Sequence, residues 1–385
     1  MKRGKTMLKR IAGMLVMVFL AMTQMSCATI ESMLNRHQDD HTIYLASIAP
    51  PDYLQNLGFQ EAMDLALDEV NSRGLINGKY KLQIEVLDDK DDLTTGMRVA
   101  QQVVKEARYT AVIGHWTANV ALPTAKIYEN GGRLVLSPAV SNVKLTQDAS
   151  NYIFRTVPSD QDEINKIMEY IQEKGYDRLA VCYADTKYGQ GLVELLGQAC
   201  KERDITITDI HRTFVNQDEF EKQYRKWAAL DTKAVFVADA LPSGIQIVKQ
   251  VRSQSPDLPI LSAGGFGFDD VNALMEGQAS NISYVDPYYH DRSQAKIQRF
   301  NALYKAKYSK EPGQLSIEGY DIVHRLADAI EKAGSTDTAA ISRALKSTED
   351  WEGTTDSFHF DEKGNVIGRR LTIVEVRKGQ YHYSN

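Results

Sequence analysis

Cysteine is scarce here: three residues in a chain of 385. Cys182 sits on the apolar run LAVCY and Cys200 late in the helical stretch GLVELLGQAC that follows it. That helix runs back antiparallel to its strand, so at ~1.5 Å of rise per residue the two thiols fall at opposite ends of the unit. A bridge would need them within bonding reach, and both read as small core residues. Catalytic signatures are also missing: there is no GxSxG elbow, no HExxH helix and no GxxxxGKS loop. Gly265-Phe266-Gly267 lacks the third glycine of a dinucleotide fingerprint. The eight histidines are scattered without ligand spacing. His115 alone falls near the expected site, where a packed core or rim histidine competes with a catalytic or metal role. No enzyme, no metal and no cofactor are expected. Nothing beyond the first segment is long and apolar enough to span a bilayer.

The stretch Thr110–Asp160 carries the most information. Ala111-Val112-Ile113 is a short apolar run closed by Gly114, which predicts a buried strand. A polar loop, His115 to Asn119, leads to a helical segment Ala121–Tyr128 stopped by Gly131-Gly132. Leu134-Val135-Leu136 is the next strand, and Ser137 to Ser141 is its exit loop. Strand, helix, strand with short connections is a βαβ unit and implies a parallel sheet. Such sheets bind ligands just beyond the carboxyl ends of their strands. Small hydroxyls, backbone amides and the flat face of Trp116 suit a small, partly polar ligand. The competing reading makes Trp116 a half-buried packing residue and Thr117 and Ser141 helix N-caps.

The same pattern runs along the whole chain. Thr42–Ile48 and Lys81–Leu87 predict strands flanking a helix at Gln60–Asn71, with Ala49 to Tyr53 as a loop. Asp88-Asp89-Lys90-Asp91-Asp92 has the oxygens a hard cation wants, but lacks the glycine and terminal glutamate of an EF-hand. Acidic residues before the helix Leu93–Glu106 favour its positive end, so a capping role is preferred. After Asp160 the alternation restarts, with a helix at Ile164–Glu173, a strand at Arg178–Tyr183, a helix at Gly191–Arg203 and further βα pairs to Ser262. Two successive βα arrays mean two lobes. Asp361 to Asn365 reads as a hairpin turn.

The N-terminus reads as a targeting signal. Five basic residues precede Ile11–Met22, an apolar run of 12 residues that is short for a membrane span and right for a signal core. It ends at Met25-Ser26-Cys27, which resembles the lipobox of bacterial lipoproteins, with an ordinary secretory peptide as the alternative. Cys27 would then be acylated, residues 28–40 would form a tether, and either Met1 or Met7 is the start. Removing residues 1–26 shifts the net charge from −6 to −11, because that segment holds five basic and no acidic groups. No basic stripe exists to neutralise phosphates, so nucleic acid is excluded as a partner.

The stretches IGHWTANVALPTAKIYENGGRLVLSPAVSN and YIFRTVPSD resemble the bacterial leucine/isoleucine/valine-binding protein family, the type I periplasmic binding proteins of ABC importers. The resemblance continues at ALDEVNSRGLINGKYKLQIEVLDD, YADTKYGQGL, GYDIVHRLADAIEKAG and FDEKGNVIG, and covers nearly all of residues 41–380. It implies an α/β protein of two Rossmann-like lobes with parallel sheets, joined by a three-segment hinge. Residues 41–157 and 287–368 would form lobe 1, and 158–286 and 369–385 lobe 2, after a signal at 1–26 and a lipidated segment at 27–40. Further crossovers are expected near Val285–Pro287 and Arg369. The implied role is a lipid-anchored, exported solute-binding protein that takes an amino acid or related ligand and delivers it to ABC permease and ATPase subunits. The alternatives are an envelope sensor or regulator, or a binder of aromatic or aliphatic carboxylates, amides or short peptides.

In the family, a Ser/Thr-bearing loop and backbone amides hold the ligand carboxylate, while an aspartate and a second-lobe glutamate hold its ammonium. Carried over by position, the aspartate falls on Asp160, the second-loop alanine on Ala139 and its threonine on Ser141. The first-loop serine falls on Ala118, beside Thr117. The second-lobe tyrosine falls near Ala240, beside Asp239, and the glutamate near Gly264. Half of the clamp is therefore present, and Asp160 is the expected counter-charge unless Asp239 substitutes for the missing partner. The expected ligand-contacting set is Tyr53, Trp116, Thr117, Ala118, Ala139, Val140, Ser141, Asp160, Tyr188, Asp239, Ala240, Gly264 and Phe266.

Overall fold

A computed structural model of the protein describes residues 41–148, 151–213, 216–287 and 293–384. The expected signal, Cys27 and the tether lie outside the described residues. The first body holds β1 (Thr42–Ile48), β2 (Lys81–Leu87), β3 (Tyr109–Gly114), β4 (Leu134–Ser137) and β5 (Ile153–Arg155). They pair in the order β2-β1-β3-β4-β5, all parallel. Helices α1 (Pro51–Asn56), α2 (Phe59–Arg73), α3 (Leu93–Lys105) and α4 (Ala118–Asn130) connect them. The short helix α1 replaces the loop expected at its start, because Pro51 sits at a first helical position that needs no N–H.

The second body repeats the plan with α5 (Asp160–Lys174), β6 (Arg178–Tyr183), α6 (Lys187–Glu202), β7 (Thr206–Arg212), α7 (Gln217–Ala229), β8 (Ala234–Ala238), α8 (Ile245–Gln254), β9 (Ile260–Ser262), α9 (Val271–Leu274) and β10 (Ile282–Asp286). The chain then returns to the first body as α10 (Ala295–Tyr308), α11 (Ser316–Ala333) and α12 (Thr338–Lys346). A small antiparallel sheet follows, made of β11 (Trp351–Glu352), β12 (Ser357–Phe360) and β13 (Val366–Ile367). The chain ends as β14 (Thr372–Arg377) and β15 (Gln380–Ser384), antiparallel strands that complete the seven-stranded order β15-β14-β10-β9-β8-β6-β7.

Each large sheet is covered by helices on both faces. Ile43, Leu45, Ala111 and Ile113 pack under α2, α11 and α12, while Ala46, Ile48 and Val112 pack under α3 and α4. Strands β3 and β8 are buried along their whole length, which is why they read as continuous apolar runs rather than alternating ones. Cys182 and Cys200 are both free and buried. Asp92 caps α3 by accepting the Thr95 N–H at 2.8 Å, as the capping reading expects. The chain passes between the bodies after β5, after β10 and after β13. The last passage is anchored by Arg369, which donates to Glu318 of α11 at 3.0 Å with both side chains buried.

Two of the helix starts that differ from expectation lie in lobe 2 and matter for the site. Helix α5 begins at Asp160 rather than Ile164. Ser159 and Asp162 form a capping box: the Ser159 hydroxyl accepts the Asp162 N–H at 3.2 Å, and Asp162 accepts the Ser159 N–H at 2.9 Å. Helix α6 begins at Lys187 rather than Gly191, capped by Thr186, whose hydroxyl accepts the Gly189 N–H at 3.0 Å. Gly191 therefore lies inside a helix.

Candidate functional site

Between the two bodies lies a cavity of about 650 Å³, walled by the exit loops of parallel strands from both. Lobe 1 contributes Tyr53 from α1, Trp116, Thr117 and Ala118 after β3, and Ala139, Val140 and Ser141 after β4. Lobe 2 contributes Tyr188 from α6, Asp239 and Ala240 after β8, and Gly264 after β9. The expected set is thus brought together with two exceptions, Asp160 and Phe266.

Phe266 is fully buried in the core of lobe 2, its ring centroid 6.1 Å from that of Tyr284. Residues Gly264–Phe268 form a 3₁₀ turn, in which positions three apart share a face. Gly265 and Phe268 accordingly line the cavity together, and Phe266 is rotated into the core.

Asp160 lies behind the wall. Its backbone N–H donates to the Ser141 carbonyl at 2.8 Å, and its buried carboxylate oxygens have no hydrogen bond of ordinary geometry. Burial lifts its pKa to about 6, while the nearby Ser141 hydroxyl and Arg155 pull the other way. The early start of α5 explains the displacement. It also explains what takes the place at the wall: residues three apart on a helix share a face, so Glu163 follows Asp160 toward the cleft.

Glu163 was not legible as a site residue. Its carboxylate is fully buried and lines the cavity, and Oε2 accepts the Gly264 N–H at 2.9 Å. Burial raises its pKa well above the usual carboxylate range, and Asp160 raises it further; the Gly264 N–H and Arg155 oppose both. A Cβ added at Gly264 would stand 2.5 Å from Glu163 Oε1. The glycine is what admits the carboxylate. The available signal was Ser159-x-x-Asp162, a capping box that sets the phase of α5.

Arg155, itself buried, holds the second lobe-1 loop from below. Its guanidinium donates to the carbonyls of Ser141 at 3.2 Å and Asn142 at 2.9 Å, and to Asn365. The first loop is held by a buried chain: His115 Nδ1 is 2.6 Å from Asp89 Oδ2, and Nε2 is 3.0 Å from the Tyr128 hydroxyl. His115 is thus a core histidine and does not line the cavity. Thr117 occupies the N-cap position of α4, but its hydroxyl donates to Asp91 instead. Trp116 is only 6% exposed; it walls the cavity and packs edge-on against Phe59 at 5.0 Å.

Among the described residues, the charged groups on the wall are Asp91, Glu163 and Asp239, with no lysine, arginine or histidine. Asp239 accepts the Ala240 N–H and the Ser243 hydroxyl, both at 2.8 Å; burial raises its pKa and these two bonds lower it. Opposite, α4 begins at Ala118, and the N–H groups of Ala118 and Asn119, which precede the first bonds to the Thr117 carbonyl, carry partial positive charge. The cavity therefore has a negative bank and a positive point, the complement of a zwitterion.

The profile of the periplasmic binding protein family matches residues 52–380. Leu/Ile/Val-binding protein homolog 1 of Brucella suis is 25% identical over 344 residues, covering 87% of this chain and 91% of that one. The leucine-, isoleucine-, valine-, threonine-, and alanine-binding protein of Pseudomonas aeruginosa is 24% identical and covers 98% of both. An ABC transporter substrate-binding protein from Desulfitobacterium hafniense, solved in complex with Leu, superposes with a TM-score of 0.79 at 28% identity, over 89% of this chain and all of that one. These proteins are binding proteins, not enzymes. With two lobes built on mainly parallel sheets around a cleft and a family match along most of its length, this chain belongs to the periplasmic binding protein family and is a substrate-binding protein.

Proposed function

We propose that this chain is the solute-binding component of an ABC importer and holds an aliphatic α-amino acid, of branched-chain type, between its lobes. Lobe 1 comprises 41–157 and 287–368, and lobe 2 comprises 158–286 and 369–385. The ligand carboxylate meets the start of α4, Thr117 and Ser141. The ammonium meets Glu163, with Asp160 adding negative potential from behind. The side chain rests among Tyr53, Trp116, Tyr188 and Phe268. Closure of the lobes buries the ligand and presents the closed form to permease and ATPase partners. Ser26-Cys27 and the basic, apolar segment before it support an exported protein anchored by lipid at Cys27; mass spectrometry finding the mature chain unacylated would remove the anchor.

The observation that carries the amino-acid reading is Glu163, a fully buried carboxylate on the cavity wall with the Gly264 N–H as its hydrogen-bond donor. A buried charge with so little compensation is costly until a cation arrives. A thermal-shift screen of leucine, isoleucine, valine, threonine and alanine tests the reading, since ligand at 100 times its Kd adds about 2.7 kcal/mol of stability. At least one is expected to raise the melting temperature, and silence from all five would reject the ligand class.

A further inference from the structure

Two lobe-1 side chains hydrogen-bond to a single lobe-2 residue, Lys187, across the mouth of the cleft. Lys187 is the first residue of α6 in lobe 2, a position whose N–H has no acceptor within its own helix. That N–H donates to Asn119 Oδ1 of lobe 1 at 3.0 Å. The carbonyl of the same residue accepts from Asn142 Nδ2 of lobe 1 at 3.2 Å. The two asparagines come from different elements, one in the first turn of α4 and one in the loop after β4. Asn142 is oriented in advance, because its Oδ1 accepts the Lys144 N–H at 3.1 Å. An exposed ion pair, Lys144 to Glu194 at 3.5 Å, spans the lobes nearby.

One turn along α6, Gly191 faces this contact. A Cβ built there would lie 2.7 Å from Asn142 Nδ2 and 3.6 Å from Asp160 Oδ2. The amide could swing away from a methyl group, but only by releasing the Lys187 carbonyl. We propose that Asn119 and Asn142 form a clasp on Lys187 that holds the cleft shut, and that the missing side chain at Gly191 lets the clasp engage. Asn119 and Asn142 both lie on the cavity wall, but the atoms that make the clasp point to the other lobe's backbone. The inference rests on the reading of the cleft as a site that closes over its ligand.

The clasp predicts an effect of unusual sign. Alanine is a far better helix former than glycine, so Gly191→Ala is expected to keep or raise the melting temperature of the ligand-free protein. It is nevertheless expected to weaken leucine binding about tenfold, and Asn142→Ala about fivefold, the range of a net hydrogen bond. In the Asn142→Ala background the same glycine change is expected to cost less than about twofold, because nothing is left to strike. A structural role for Gly191 would lower stability in both backgrounds and would not show this coupling. A second arm needs no ligand: cysteines introduced as Asn119→Cys with Lys187→Cys are expected to cross-link under mild oxidation, more slowly once Gly191→Ala is added. If wild type binds no amino acid, the ligand reading falls and the cross-linking rates alone judge the clasp. Equal losses from Gly191→Ala with and without Asn142, cross-linking that Gly191→Ala does not slow, or no cross-linking at all would overturn it.

Discussion

The two banks of the cleft differ in how they recognise a ligand. Lobe 1 offers a helix start, hydroxyls and aromatic faces. Its one wall carboxylate, Asp91, already accepts from Thr117 and from Tyr53 at 3.4 Å. Lobe 2 offers Glu163 and Asp239, both withdrawn from water, with Asp160 behind. One bank is shaped by loops that follow directly from strands, the other by the phase of a helix and a 3₁₀ turn. The lesson is that shape and charge selection are divided between the lobes, so a ligand satisfies both only when they meet.

Trp116→Ala probes the lobe-1 bank hardest. The indole belongs both to the wall and to the packing around Phe59, so its loss is expected to cost about 3–5 kcal/mol of folding stability as well as affinity. Melting temperature and leucine titration measured together would show this; an intact melting temperature would make the residue purely a contact surface and sharpen the contrast between banks.

Glu163→Gln probes the opposite bank. Removing one member of a desolvated charge pair costs on the order of 2–5 kcal/mol, roughly thirtyfold or more in Kd. Stability of the ligand-free protein should not fall, because the change removes a buried charge. Calorimetry that found the affinity unchanged would place the ammonium elsewhere and erase the distinction drawn between the lobes.

Gly264→Ala should act on the same bank at one remove. The new methyl would press on Glu163 Oε1, so about tenfold weaker binding is expected, following from a displaced charge partner. Normal affinity in this variant would show that Glu163 can retreat without consequence.

The smallest effect concerns Asp160→Asn. The folded pKa of Asp160 is raised to about 6, above an unfolded value near 4. The folded state therefore holds the proton more tightly, and stability declines as pH climbs from about 4 through about 6. Asparagine mimics the protonated form. The variant should melt a few degrees above wild type at pH 7.5 and match it near pH 4, with leucine affinity changed less than by Glu163→Gln. Equal melting curves at both pH values would contradict the assignment.

The sequence was most legible where chemistry and secondary structure share one segment. Strands β1, β2 and β6 fall where the sequence predicts them. Trp116, Ala139 and Ser141 reach the cavity because exit loops of parallel strands have nowhere else to go. Position was lost where a turn of helix intervened. Starting α5 at Asp160 instead of Ile164 moves Asp160 inward and brings Glu163 to the wall, and the 3₁₀ turn exchanges Phe266 for Phe268. Glu163 and Gly264 also lie 101 residues apart, so their mutual exclusion at one point in space leaves no local pattern to read.

The most direct test of the account compares two ligands on unmodified protein. Leucine and 4-methylpentanoate share a side chain and a carboxylate and differ by the amine. Calorimetric titration at pH 7.5 should give leucine an advantage of about a hundredfold or more, as expected when a buried carboxylate needs its cation. Equal affinities, or tighter binding of 4-methylpentanoate, would contradict the claim that Glu163 receives the ligand's ammonium.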